Sequence, residues 1–119
     1  MAAAWQNRNS IVLPIYDDIT SISKVLDISS TGKANCSIKV TVSKSKVDKI
    51  KATVSIYKIG YGAVKTWNKT LEYVNGKYVF DEEHQLLTKG TYYMGYTLKC
   101  YKNSNLVESI TEHTGSQLY

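Results

Sequence analysis

From Lys33 to Val42 the chain alternates without a fault. Ala34, Cys36, Ile38, Val40 and Val42 fall in one phase, and Lys33, Asn35, Ser37, Lys39 and Thr41 in the other. A period of two sends successive side chains to opposite faces of a pleated strand, so this segment buries its apolar set only within a sheet that keeps one wet face. The pattern returns at 50–57, where Ile50, Ala52, Val54 and Ile56 oppose Thr53, Ser55 and Tyr57. It returns again at 92–100, where Tyr92, Met94, Tyr96, Leu98 and Cys100 share a phase.

The remaining chain extends this reading. Ile19 to Ile28 is a first strand with imperfect alternation, its apolar content being Ile22, Val25, Leu26 and Ile28. Lys65 to Val74 alternates with Trp67, Leu71 and Tyr73 in one phase, and Asn75-Gly76 is a strong hairpin signal before a return strand at Tyr78 and Phe80. Asp81 to Gln85 reads as a polar corner, and a last strand is expected near Leu106 to Thr111. About seven short strands separated by turn residues predict an all-β fold, an antiparallel Ig-like or fibronectin-like β-sandwich. A small β-barrel is the alternative, because periodicity alone does not separate the two. Residues 1–18, interrupted by Pro14, read as an N-terminal extension or edge segment, and 19–119 as one sandwich domain.

Charge narrows the function classes. The net +5 comes from fourteen lysines and one arginine, Arg8, against ten acids. Nucleic-acid readers use the arginine fork for base and phosphate contacts, so a lysine-only excess argues against a nucleic-acid partner. Lys39, Lys49, Lys51 and Lys99 fall in outward strand phases, where charge also discourages edge-to-edge pairing. With no run of 18 apolar residues, no membrane span is expected. The segment Met1 to Arg8 lacks the apolar core of a signal peptide.

Several short stretches carry a resemblance. Leu13-Pro14-Ile15-Tyr16, Leu26-Asp27-Ile28 through Cys36, Lys49 to Lys58, Thr66-Trp67, Gly90-Thr91-Tyr92-Tyr93 and Glu108-Ser109 resemble small secreted β-sandwich proteins of Clostridia and related Gram-positive bacteria. Those proteins carry a domain of unknown function. The resemblance implies export after signal removal, hence an extracellular or cell-surface location, and brings no activity with it. Met94 departs from the pattern, which has a basic residue after the paired tyrosines. The run Leu87-Thr88-Lys89-Gly90-Thr91-Tyr92 also looks like the corner of bacterial Ig-like sandwiches, in which a tyrosine entering a strand bonds back to the preceding connection. Phase makes Tyr92 the inward, structural tyrosine and leaves Tyr93 on the other face.

Cys36 and Cys100 occupy apolar phases of strands in the B and F places of such a sandwich. A bridge would close a loop of about 65 residues and contribute roughly 4 kcal/mol. Parallel strands with one cysteine early and the other late oppose that bridge, leaving two buried thiols as the other reading. No metal site is expected, since zinc needs about four ligands and neither Asp17-Asp18 nor Asp81-Glu82-Glu83 has calcium-loop spacing. No cofactor is called for. His84 and His113 each lie near acids, yet no nucleophile context accompanies them, so no catalytic residues are assigned. The aromatic side chains Tyr57, Tyr61, Trp67 and Tyr73 are the candidate ligand contacts, as platforms for sugar rings or anchors in a protein interface. For Trp67, core packing is the competing role. These readings converge on a non-catalytic binding module for an envelope glycan or a surface protein; the alternative is a secreted cationic antibacterial effector acting through charge.

Overall fold

The computed structural model describes residues 10–12, 19–43 and 45–119. Among them, strands of nine or more residues are β2 (Ile19–Ile28), β3 (Lys33–Val42), β4 (Lys49–Lys58), β5 (Gly62–Thr70), β7 (Lys77–Gln85), β8 (Thr91–Lys102) and β9 (Asn105–His113). Three shorter ones complete the order: β1 (Ser10–Val12), β6 (Glu72–Val74) and β10 (Gln117–Leu118). They form two antiparallel sheets, β1-β2-β3-β7-β6 and β10-β8-β4-β5, with β9 on the same flank of β8 as β10. This is a β-sandwich, not a closed barrel.

Alternation fills the space between the sheets. Ala34, Cys36, Ile38 and Val40 of β3 face Ile50, Ala52, Val54 and Ile56 of β4 and Tyr92, Met94, Tyr96, Leu98 and Cys100 of β8, all buried. The lysines at 39, 49, 51 and 99 are exposed in the opposite phase. Asn75 and Gly76 both take positive φ, 50° and 84°, as a two-residue hairpin turn of the mirror-image type requires.

Three expectations change. The run 65–74 is not one strand: β5 pairs with β4, the chain crosses at buried Leu71, and β6 pairs with β7 in the other sheet. Alternation survives that crossing because it records faces, not partners. Asp81 to Gln85 is the second half of β7 and not a corner, its phases paired to Lys33–Ser37. In β2 it is Lys24 that is buried, at 3% exposure, while Val25 lies outward.

Of the two readings of the cysteines, the structure shows the buried thiols. Both are buried and their sulfurs are not joined. Asp48 N–H donates to Tyr101 O at 2.8 Å, which sets the end of β8 beside the β3–β4 turn. Cys36 lies six residues back from the end of β3, about 20 Å of strand, far outside bridging range. Burial, then the charge of Asp81, pushes the Cys36 thiol up to about 12. The pair Asp17-Asp18 and the stretch Leu13 to Tyr16 lie outside the described residues.

Two features lock the sandwich at its flanks. Lys24 Nζ donates to Glu112 Oε1 at 3.3 Å, joining β2 to β9, and the Tyr96 hydroxyl donates to the same oxygen at 2.8 Å. Gln117 of β10 reaches across to β2: its amide nitrogen donates to Leu26 O, and its Oε1 accepts from Ile28 N–H at 3.3 Å.

Candidate functional site

At one end of the sandwich the β4–β5 hairpin and the β7–β8 connection approach each other and leave a cleft of about 380 Å³. The hairpin turns at Gly60 and Gly62, with φ of 85° and 124°, values open to glycine and costly for other residues. That turn lifts Tyr61 to 77% exposure at the cleft rim. On the opposite rim Leu87 is 90% exposed.

The two rims are tied together. Ile59 N–H donates to Thr91 O at 2.9 Å, and Lys58 Nζ donates to Thr88 Oγ1 at 2.9 Å. The Lys58 side chain lies along Gly90, where an added Cβ would meet its Cε at 2.6 Å, so a larger residue there would push the lysine aside. Beneath them Tyr92 is 1% exposed and donates its hydroxyl to Thr88 O at 2.6 Å. This is the corner geometry read from Leu87 to Tyr92, and it fixes the connection that forms one wall.

His84, at the end of β7, supplies the inner wall. Its ring stands edge-on to Trp67 at 6.5 Å. Burial first, and the Lys65 ammonium second, hold the imidazole below its ordinary 6.5, so at neutral pH it is uncharged, with one donor and one acceptor nitrogen. Among the described residues no carboxylate lines the cleft. Glu82 points inward one turn of the pleat away and pairs with Lys69, while Asp81 accepts from Asn35 at 3.2 Å.

The four aromatic candidates do not form one patch. Tyr61 is on the cleft rim. Trp67 faces between the sheets, half-buried against the core, edge-on to Phe80 at 5.7 Å. Tyr57 lies on the outer face of the second sheet, stacked on Tyr93 at 5.0 Å and 19°, with its ring against Gly95. Tyr73 is on β6 in the first sheet, half-exposed and tilted against Tyr78 at 4.9 Å. His113 packs edge-on to Tyr93 at 5.7 Å, with Nδ1–H donating to Thr114 O at 2.8 Å, far from His84 in the sheet order. The histidines therefore do not converge. Lys58, Thr88 and His84 were missed as cleft residues from sequence, because the hairpin and the connection meet only through β4–β8 pairing.

No family model matches the chain, and no curated protein matches it. Among solved structures it is similar to a calcium-binding-site mutant of Bacteroides uniformis beta-glucuronidase 2, at 19% identity and a TM-score of 0.51, over 82% of this chain and 14% of that one. It is also similar to a protein assigned as a beta-galactosidase from Bacteroides fragilis, at 12% identity and a TM-score of 0.48, over 79% of this chain and 16% of that one. The chain thus spans under a sixth of the length of either. The first likeness supports the sandwich fold.

Proposed function

We propose that this domain is a non-catalytic binding module that takes up a sugar unit of a glycan in the end cleft. One observation carries the reading: the exposed Tyr61 ring overhangs a cleft whose polar groups are Lys58, Thr88 and His84, with no carboxylate among them. A sugar's axial C–H face stacks on an aromatic ring, while its hydroxyls exchange hydrogen bonds with an ammonium, a hydroxyl and a neutral imidazole. Glycosidic hydrolysis in most families uses two carboxylates flanking the bond, and among the described residues this cleft has none. A cleft of this size is at the small end for ligand sites, enough for one sugar ring and its substituents. An extracellular or cell-surface setting accords with the resemblance to secreted sandwich proteins.

The test is retention on insoluble polysaccharides and washed Gram-positive envelopes at low and high salt. Salt-resistant retention that falls at least tenfold in Tyr61→Ala, with an unchanged melting temperature, is the expected result. Retention indifferent to Tyr61→Ala, or abolished by salt alone, overturns it, the latter in favour of a cationic effector.

A further inference from the structure

We propose that the outer face of the β10-β8-β4-β5 sheet is a second binding surface, whose ligand is a carboxylate-bearing polysaccharide. The register gives the argument. Thr70, Lys51, Lys99 and Ser109 form one row across β5, β4, β8 and β9, and Asn68, Thr53, Thr97 and Thr111 form the next. Tyr57 and Tyr93 stand two rows further on. Among the described residues no Asp or Glu occupies an outward position of this face.

The opposite face of the sandwich is different. There Asp27, Glu72, Asp81 and Glu83 are interspersed with Lys33, Lys39 and Lys77, so the four acids outnumber the three lysines by one. Cationic excess is thus segregated to one sheet. It is also placed at a cost, since Lys51 and Lys99 are direct cross-strand partners and like charges so paired destabilise a sheet. The ion pairs found among the described residues are Lys24–Glu112 and Lys69–Glu82, so neither ammonium is neutralised by a carboxylate of the described residues. Side chains of a cross-strand pair start about 5 Å apart, close enough for both to reach one carboxylate.

The surroundings suit a polysaccharide better than other polyanions. Lys51 and Lys99 border a groove of about 360 Å³ whose other walls include Thr53, Asn68 and Thr97. Thr53 donates to Asn68 Oδ1 at 2.7 Å, and the Thr97 and Thr111 hydroxyls lie 2.9 Å apart. These cross-strand pairs hold hydroxyl and amide groups in fixed directions and keep further donors and acceptors for sugar hydroxyls. Among the described residues no arginine is present on the face, so duplex or single-stranded nucleic acid lacks its usual fork there.

The experiment is affinity electrophoresis through polygalacturonate, with dextran as the neutral comparison. Lys51→Gln/Lys99→Gln is set against Lys33→Gln/Lys39→Gln, which removes the same charge from the other face. Polygalacturonate is expected to retard the protein and dextran not to, with affinity falling at least tenfold in the first double variant and less than twofold in the second. Removing a like-charge pair should leave the melting temperature equal or higher, so a misfolded variant is recognised at once. Equal losses in both doubles, no retardation, or stronger binding to duplex DNA or anionic vesicles would each overturn the assignment. Tyr61→Ala should leave polygalacturonate binding intact, which separates this surface from the end cleft; a parallel loss refutes a second site.

Discussion

Lys24 and Glu112 occupy the least forgiving positions among the side chains. Their charged groups are each 4% exposed, and Glu112 Oε2 has no hydrogen-bond partner among the described residues. Removing one member strands a buried charge, so Glu112→Ala is expected to cost about 3–5 kcal/mol in urea denaturation. Replacing both, Lys24→Met with Glu112→Leu, should recover most of that loss, because well-packed apolar residues commonly match a buried pair. A single-variant cost below about 1 kcal/mol would mean that water reaches the pair. Nothing near Lys24 in the sequence signals this burial. Its partner is 88 residues away, and a lysine in an apolar phase reads simply as a fault in the alternation. Tyr92 was legible for the opposite reason: its bonding partner, Thr88, is four residues upstream, within a local motif.

At the scale of elements, legibility followed the source of each strand's partner. β3, β4 and β8 are central and covered on one face, so their periodicity is clean and their limits were readable. β5 and β6 were fused because an alternating run keeps its phase while passing from one sheet to the other. The second half of β7 was mistaken for a corner because its inward residues, Glu82 and His84, sit at the open flank, where Lys69 and Trp67 receive them. The β8–β9 turn shows a local cost. Asn103 and Ser104 both take positive φ, 51° and 68°, and asparagine tolerates this better than serine. Ser104→Gly should therefore stabilise the domain by about 0.5–1 kcal/mol after glycine's own entropy loss. Calorimetry should register this as a rise in Tm of about 2–5 °C; a fall would contradict the left-handed turn.

For the molecule as a whole, the cysteines report on cooperativity. Both thiols are enclosed by the two sheets, and Cys36 is held in its protonated form by burial. A thiol reagent at neutral pH is expected to label neither quickly in the native protein and both after denaturation without reductant. No label after denaturation would show a bridge. Two sheets, one core and the flank contacts predict that labelling follows global opening. The cleft itself was only half legible: Tyr61 stood out in its glycine-flanked turn, but the facing wall arrives through pairing of strands 34 or more residues apart.

Gln117 also decides how the domain bears load. Its side chain bonds the end of β2, and Tyr119 N–H donates to Gly90 O at 2.8 Å beside the start of β8. Ile19 lies at the far end of β2, some nine residues or about 30 Å away. A pull between Ile19 and Tyr119 therefore runs along the strands, so the rungs between β2 and β3 are strained together in shear instead of being unzipped one at a time.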